Sequence, residues 1–274
     1  MPQLYLDLLK KSLLGELYYE NEVRLLYLRD CLEGRDTYDP ATLLRIDQHR
    51  PEACDRYRVL SREGRLRDDR LEHLGFPHTM IGRLRLENVE ACLETIRRDN
   101  VPGDLIECGV WRGGTAILLR GFLKAHGMES RTVWVADSFA GLPPPACPED
   151  REHDLSAAKF PMLAIPLETV RDLFARYGLL DGGVRFLPGW FCDTLPAAPI
   201  QSLALLRLDG DLYESTRDAL EALYPKLSPG GFATVDDYHC MPPCRQAVDE
   251  YRERHGIACP IERIDWTGVF WRKV

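Results

Sequence analysis

The sequence predicts a doubly wound α/β fold, and three observations carry that prediction. Short apolar runs typical of buried strands recur after residue 100, and helix-length segments separate them. Acidic or glycine-rich residues follow several of these runs directly, as they do at the carboxyl ends of parallel strands. The 274 residues, of which 45% are hydrophobic, suffice for one such domain with an additional segment.

The predicted strands and helices alternate along the chain from residue 104. The apolar runs predict strands at residues 104–108, 132–136, 184–187, 203–208 and 232–235. Helical segments are expected at residues 115–125, 167–177, 216–227 and 245–255. The third of these helices should end before Pro229-Gly230-Gly231, a strong stop signal. Two last strands, at residues 261–264 and 269–271, are expected to close the sheet as a hairpin.

The N-terminal part of the chain differs from this alternating region. It is rich in charge, and Leu6, Leu9 and Leu13 recur at helical spacing. A further helix is predicted at residues 83–98, before the first strand. We therefore divide the chain into an N-terminal helical cap or lid with a role in oligomerisation, at residues 1–78, and a main domain at residues 79–274.

The composition excludes several classes of protein. A net charge of −8 argues against nucleic acid or an anionic membrane surface as the partner, so a small molecule is expected instead. The chain has no apolar run of about 18 residues and no signal-peptide pattern at its start, which predicts a cytoplasmic protein. The nine cysteines are odd in number and scattered, as in proteins with reduced thiols. His239, Cys240 and Cys244 lack the second ligand pair of a zinc site.

Four carboxylates follow the fourth and fifth predicted strands. Asp209 and Asp211 come after the fourth strand, and Asp236 and Asp237 come after the fifth. Carboxylates gathered at one edge repel one another unless a divalent cation or a proton holds them together, so the pattern predicts a metal site. The alternative is that they are solvated loop acids or helix caps, with Asp211 or Ser215 capping the next helix.

A glycine-rich turn joins the first predicted strand to its helix. Glu107 precedes Gly109 and Gly113 there, and such glycines let the backbone approach a nucleotide-like ligand at a helix N-terminus. The spacing does not match the dinucleotide fingerprint, and a tight turn would account for the glycines equally well. Asp137 closes the second strand, where an acid can accept hydrogen bonds from both ribose hydroxyls. Trp190, after the third strand, can stack on a purine ring or lie in the core.

Several motifs, in the same order, resemble the macrocin O-methyltransferase family. Its metal-dependent enzymes use S-adenosylmethionine to methylate sugar hydroxyls of macrolides, aminocoumarins and related natural products. The similar motifs are Thr79-Met-Ile-Gly, Ile106-Glu-Cys-Gly-Val-Trp-Arg-Gly-Gly, Ala136-Asp-Ser-Phe-Ala-Gly-Leu-Pro, Tyr177-Gly-Leu-Leu-Asp, Gly189-Trp-Phe-Cys-Asp-Thr-Leu-Pro, Leu206-Arg-Leu-Asp-Gly-Asp-Leu-Tyr-Glu-Ser-Thr, Val235-Asp-Asp-Tyr and Gly268-Val-Phe-Trp-Arg-Lys. Residues 31–75 depart from the family pattern, and this segment would contribute to the acceptor pocket or its lid.

The resemblance implies a class I methyltransferase fold, S-adenosylmethionine and Mg²⁺ as cofactors, a glycoside acceptor, and a homodimer or higher assembly. The residues implied at the amino-acid end of S-adenosylmethionine are Thr79, Met80, Glu107, Gly109, Arg112, Gly113 and Thr115. Those implied at the ribose are Asp137 and Ser138, and those implied at the adenine are Gly189, Trp190 and Asp193. Asp209, Asp236 and Asp237 would hold Mg²⁺.

A sugar hydroxyl is a very weak acid, so the reaction needs a base to take its proton. Asp211 is the candidate base because it lies two residues beyond a metal ligand, and Asp209 and His239 are the alternatives. Two rival functions are a catechol-type, metal-dependent O-methyltransferase and a non-catalytic nucleoside-binding protein. A phosphotransferase is disfavoured because the sequence has no G-x-x-x-x-G-K-[ST] loop.

Overall fold

The structure, a computed structural model, describes residues 2–66 and 77–274. The chain divides into two compact units, Gln3–Leu86 and Glu87–Val274. Residues 67–76, which belong to the predicted N-terminal region, lie outside the described residues. Every helix in the described ranges is too short or too polar to span a bilayer.

The first unit is helical. Its helices are α1 (Pro2–Leu13), α2 (Tyr19–Leu32), α3 (Pro40–Leu44), α4 (Ile46–His49), α5 (Pro51–Glu63) and the start of α6 (Arg83–Arg98). A small core holds α2, α4 and α5 together and contains Val23, Tyr27, Ile46, Cys54 and Tyr57. Local signals define these helices: Asp39 accepts the Ala41 and Thr42 amides at the start of α3, and Gly64 ends α5 in a left-handed conformation.

The second unit contains a seven-stranded sheet. Its strands are β1 (Asp104–Cys108), β2 (Val133–Asp137), β3 (Val184–Pro188), β4 (Leu203–Leu208), β5 (Leu227–Val235), β6 (Glu262–Arg263) and β7 (Val269–Arg272). The strand order is β3-β2-β1-β4-β5-β7-β6; the first five strands are parallel, and β7 runs antiparallel to both β5 and β6. The predicted doubly wound sheet with a terminal hairpin is therefore confirmed.

Helices connect the strands of this sheet. They are α7 (Gly114–Ala125), α8 (Leu167–Arg176), α9 (Phe191–Thr194), α10 (Tyr213–Leu223) and α11 (Pro242–Arg254). The predicted helices correspond to α7, α8, α10 and α11, whereas the short α9 was not predicted. The core is formed by the apolar residues of β1, β4, β5 and β7 together with the inner faces of α10 and α11, and Trp271 is its largest fully buried side chain.

One predicted boundary was wrong, namely the junction between α10 and β5. The helix ends at Leu223, a single 3₁₀ turn follows, and β5 already begins at Leu227. Pro225 is the cause, because it has no amide hydrogen to donate to the carbonyl of Glu221, so the helical hydrogen-bond pattern stops there. The Pro229-Gly230-Gly231 sequence lies inside the strand, where the pairing of β4 with β5 shifts register.

The topology brings the carboxyl ends of five parallel strands to one edge of the sheet. β1 lies between β2 and β4, so the strand order reverses there, and ligands of doubly wound sheets bind at this position. Cys108, the last residue of β1, is in register with Ala136 of β2 and Leu208 of β4, and Leu208 is in register with Val235 of β5. The residues that follow these strands therefore emerge side by side.

Candidate active site

Asp209, Asp236 and Asp237 come together as the sequence predicted. One carboxylate oxygen from each lies within 4.8 Å of the others, and Asp236 and Asp237 are buried. The neighbouring pair can face the same point because β5 ends at Val235, so the alternation of strand side chains stops there. Burial and the Asp236 carboxylate raise the pKa of Asp209 well above its ordinary value. The ionised carboxylates repel one another, so the cluster needs a positive charge beside it to remain ionised.

Part of that counter-charge comes from Arg207, which the sequence analysis did not select. Its Nη2 donates to Asp209 Oδ2 at 2.6 Å and to Asp236 Oδ1 at 2.7 Å, and its Nε donates to Glu107 Oε1 at 3.0 Å. Arg207 is 1% exposed in a strand that is buried throughout. An arginine within such an apolar run needs buried anions as partners, and this signal in the sequence could have identified it.

The donor set fits a hard divalent cation. Glu107, Asp209, Asp236 and Asp237 supply four carboxylates, whereas Arg207 supplies one positive charge to three of them. Burial raises the pKa of Glu107 to about 7, although Arg207 opposes this effect. Carboxylate oxygens are the ligands that Mg²⁺ prefers, so Asp209, Asp236 and Asp237 form a suitable metal site.

Asp211 lies in a strained turn beside this cluster. Its φ is +59°, and Leu212 N donates to Gly210 O at 2.6 Å, which closes a γ-turn with Asp211 at its centre. The Asp211 amide donates to Asp237 Oδ2 at 3.3 Å. Such a conformation costs an L residue on the order of 1–3 kcal/mol and is found most often at functional sites.

Neither Asp211 nor Ser215 caps α10. The first amides of that helix, those of Tyr213 and Glu214, donate instead to the carboxylate of Asp150. The Ser215 hydroxyl donates to Gly210 O at 2.5 Å and stabilises the turn that precedes the helix. The capping interpretation of Asp211 was therefore wrong, because a residue from a distant loop fills that role.

The glycines of the turn after β1 are required by the fold itself. Gly109 has a φ of +85°, and a Cβ there would collide with the carbonyl oxygen of Asp209. Gly113 precedes α7 with a φ of +81°, and its Cβ would lie 2.7 Å from Val170 Cγ1. The tight-turn interpretation thus holds for both glycines, and the N-terminus of α7 still faces the switch point of the sheet.

Three more side chains of this turn make contacts, with Glu107, with each other or with the loop after β2. Thr115 is buried at the start of α7, where it helps to stabilise the ionised form of Glu107. The guanidinium carbon of Arg112 lies 4.5 Å from the centre of the Trp111 ring, and Trp111 Nε1 donates to Met162 O at 3.0 Å. The turn is therefore connected to the long loop after β2.

Asp137 is held rigidly at the end of β2. Its Oδ2 accepts from the Val110 amide at 2.7 Å, and its Oδ1 accepts from the Phe139 amide at 2.8 Å. Burial raises the pKa of this carboxyl, and the two amides act against that rise. The Ser138 hydroxyl donates to Gly141 O at 2.6 Å and so stabilises the loop after β2. The Trp111 amide interacts with the carboxylate as well, and a carboxylate has about four acceptor sites, so Asp137 can accept further hydrogen bonds.

The segment after β3 lies next to Asp137. The Gly189 amide donates to Asp137 O at 3.0 Å. Trp190 directly precedes α9, and Asp193 lies within this helix. Trp190 is 40% exposed, so it is not a core residue. Its exposed ring leaves the purine-stacking role open.

His239 follows the end of β5, two residues after Asp237. The charged groups that influence His239 are Arg263, Arg245 and Asp265, and partial burial together with the two cations lowers its pKa. Its amide donates to Thr267 O at 3.0 Å, in the turn between β6 and β7. Thr79 and Met80 belong to the first unit, whereas the other predicted site residues belong to the second.

Solved structures agree with the fold that the resemblance implied. The chain is similar to the O-methyltransferase NovP over 100% of both chains, with 45% identity and a TM-score of 0.80. The calicheamicin methyltransferase CalS11 shares the fold at 18% identity, with a TM-score of 0.57 over 93% of both chains. Fold and site together define a class I, S-adenosylmethionine-dependent O-methyltransferase.

More specifically, the chain belongs to the macrocin-O-methyltransferase (TylF) family, whose profile matches residues 2–273. It is 48% identical to an 8-demethyl-8-(2,3-dimethoxy-alpha-L-rhamnosyl)-tetracenomycin-C 4'-O-methyltransferase of Streptomyces olivaceus, over 98% of this chain and 92% of that protein. It is 56% identical to the mycinamicin III 3''-O-methyltransferase of Micromonospora griseorubida, over 72% of this chain and 78% of that protein. A demethyldecarbamoylnovobiocin O-methyltransferase of Streptomyces niveus is likewise 56% identical, over 72% of this chain and 76% of its own length.

Proposed function

We propose that this enzyme methylates a sugar hydroxyl of a glycosylated natural product and that it requires Mg²⁺. The observation that carries the proposal is the carboxylate cluster of Asp209, Asp236 and Asp237, which lies at the same sheet edge as the turn after β1. The relatives support a glycoside acceptor, because their names specify a rhamnosyl-tetracenomycin, mycinamicin III and a novobiocin precursor.

The three aspartates would be the protein ligands of Mg²⁺. Mg²⁺ prefers oxygen ligands, so an ion held by these carboxylates would also attract hydroxyl oxygens of the acceptor. The ion would stabilise the negative charge that develops on the acceptor oxygen. Neighbouring hydroxyls are common on sugars, which agrees with a glycoside acceptor.

Asp211 would take the proton of the acceptor hydroxyl. As the oxygen loses that proton, it forms a bond to the methyl carbon while the bond from that carbon to sulfur breaks, and S-adenosylhomocysteine leaves. Two contacts favour Asp211 as the base: its amide donates to Asp237, and its turn is anchored by Ser215. The groups around His239 are Arg263, Arg245 and Asp265, none of which belongs to the carboxylate cluster.

The residues after β1, β2 and β3 would hold S-adenosylmethionine. Glu107 and the turn from Gly109 to Thr115 would bind its amino-acid end, and Asp137 would accept the ribose hydroxyls. The fixed carboxylate of Asp137 and the exposed ring of Trp190 support these roles. In the same proposal, Thr79 and Met80 close the amino-acid end, and Ser138, Gly189 and Asp193 line the nucleoside.

The N-terminal region would serve as a cap over the acceptor and as the oligomerisation segment. Exposed apolar side chains on and after α1, such as Leu4, Leu8 and Tyr18, support a homodimer or a higher assembly. We propose a cytoplasmic location, in keeping with a small-molecule acceptor. Light scattering at micromolar concentrations tests the assembly, and a monomer would contradict it.

An acceptor panel tests the proposed reaction. The purified enzyme is incubated with S-adenosylmethionine, Mg²⁺ and either sugar-bearing natural products or catechols, and products are detected by mass. A mass increase of one methyl group on a glycoside, located on the sugar by fragmentation, supports the proposal. Methylation of catechols alone would identify the catechol-type enzyme instead.

A further inference from the structure

A row of buried polar residues crosses the centre of the sheet. Glu107 of β1 is in register with Arg207 of β4, and Arg207 is in register with Thr234 of β5. The three side chains are 1–2% exposed. Cross-strand partners in a parallel sheet project on the same face, so this row lies directly before the strand ends that carry the site.

The row is incompletely satisfied among the described residues. Glu107 Oε2 and Thr234 Oγ1 are buried and make no hydrogen bond of normal geometry there, although the Thr115 side chain and the Ala116 amide interact favourably with the Glu107 carboxylate. Polar atoms of this kind are rare in folded proteins because each one forfeits its contact with water.

Arg207 is the one group in this row that contacts both halves of the site. Its Nε donates to Glu107, on the side of the turn after β1, and its Nη2 donates to Asp209 and Asp236, on the side of the carboxylate cluster. The guanidinium is planar and rigid. A shift of Glu107 therefore moves Nη2 relative to the two aspartates.

We propose that Arg207 is a positioning residue that couples the two halves of the site. Through Arg207, the position of the Glu107 carboxylate determines how tightly Asp209, Asp236 and Asp237 bind Mg²⁺. The inference rests on the proposed function, because it takes the aspartates as metal ligands. Arg207 itself touches neither the reacting atoms nor the acceptor. Through Nη2 it orients Asp209 and Asp236 and offsets the repulsion between these two carboxylates before the ion binds.

The first test uses Mg²⁺ alone, with the full-length protein and no cofactor. Arg207→Lys keeps the positive charge but replaces the planar guanidinium with a single ammonium group. That group cannot donate to Glu107 and to two aspartates in the same geometry. We expect its Mg²⁺ dissociation constant, measured by calorimetry, to rise about 10- to 100-fold, the usual effect of losing a group that orients metal ligands. An unchanged constant would overturn the inference.

Arg120→Lys is the matched control. Arg120 is also buried in an ion pair, with Asp181, and its Nη1 donates to Arg131 O, just before β2 at the opposite end of the sheet. This control should show the general cost of replacing a buried arginine in thermal unfolding. It should leave the Mg²⁺ dissociation constant within about twofold of the wild-type value, and a larger rise would mean that Arg207→Lys acts through general destabilisation.

The second test is a double-mutant cycle, and its Glu107→Gln single variant keeps the proposal falsifiable if Arg207→Lys does not fold. Glu107→Gln, on the cofactor side, should weaken Mg²⁺ binding at least fivefold, and this effect should shrink when Arg207 is already Lys. Equal effects in both backgrounds would mean that Glu107 acts on the ion by direct charge, and they would overturn coupling through Arg207. If the wild type does not bind Mg²⁺ at all, the proposed metal site fails. If it binds Mg²⁺ and Glu107→Gln binds it equally well, only the coupling fails.

Discussion

The carboxylate of Asp150 accepts a hydrogen bond from the Tyr213 amide at 2.7 Å, although 63 residues separate them. The second oxygen accepts from the Glu214 amide at 3.1 Å, and Asp150 is 1% exposed. An acid at this point also interacts favourably with the helix dipole. The loop after β2 is thereby fixed to the helix that follows Asp211.

Asp150→Ala should therefore lower the free energy of unfolding by about 2 kcal/mol, since two amides of α10 lose their acceptor. Urea unfolding followed by circular dichroism measures the change. Asp154→Ala is the control in the same loop, because Asp154 accepts only one amide, that of Ser156, and pairs with the exposed Lys159, so its loss should cost less. Equal losses for the two variants would argue against the cap.

Asp137→Ala should weaken the binding of S-adenosylhomocysteine. The carboxylate is proposed to accept two ribose hydroxyls, and the loss of such charged acceptors costs roughly 2–4 kcal/mol of binding free energy. Calorimetry with the wild type, Asp137→Ala and the isosteric Asp137→Asn measures it, and the Asn variant should fall between the other two. Undiminished binding by the Ala variant would refute the ribose assignment.

The metal and the base should be separable by mutation. Asp236→Asn removes one ligand charge, so a higher Mg²⁺ concentration should be needed for half-maximal turnover. Asp211→Asn should leave the Mg²⁺ requirement nearly unchanged and slow the chemical step by roughly 10²- to 10⁴-fold, because only the base is lost. Single-turnover rates across a Mg²⁺ titration distinguish the two effects.

EDTA provides the complementary measurement. Chelation should abolish turnover and leave the affinity for S-adenosylhomocysteine nearly intact, because the ion is proposed to contact the acceptor. Full turnover in EDTA would exclude the metal, and an active Asp211→Asn enzyme would transfer the base role to Asp209 or His239.

Gly109→Ala should be strongly destabilising. Its φ of +85° strains any L residue, and the new methyl group would collide with the Asp209 carbonyl. We expect a loss of about 3 kcal/mol or more in the free energy of unfolding. Gly182→Ala is the matched control, because no described atom lies within 4 Å of the point that its new methyl group would occupy, and chemical denaturation of both variants gives the comparison. A Gly109→Ala protein as stable as this control would disprove the close approach.

Asp181 should contribute a pH-dependent part of the stability. Burial opposes its ionisation, yet Arg120 and Lys124 lower its pKa from 3.8 to about 2. The ionised carboxylate therefore stabilises the fold above pH 4, and this contribution of about 2 kcal/mol is lost as the pH falls from 4 to 2. The difference in unfolding free energy between wild type and Asp181→Asn should shrink over that interval, whereas a pH-independent difference would contradict the assignment.

The sequence allowed the carboxyl ends of the strands to be located, because apolar runs followed by acids or glycines have a direct meaning in parallel sheets. It did not reveal Arg207, whose partners Glu107, on β1, and Asp236, directly after β5, become its neighbours only through the strand order. Asp150 escaped for the same reason, since local spacing contains no information on contacts made by a long loop. Pro225 lies closer to the end of α10 than the Pro229-Gly230-Gly231 signal from which the boundary was predicted.

The two margins of the sheet bear on how copies of this chain associate. β6, at one margin, is only Glu262–Arg263, and both side chains are exposed and charged. β3, at the other, ends in Pro188, which has no amide hydrogen to offer to an added strand. Short, charged or proline-bearing margins discourage strand-to-strand growth. A stable assembly would therefore have to form through helices. The same margins also disfavour aggregation of a partly unfolded chain by addition of strands to this sheet.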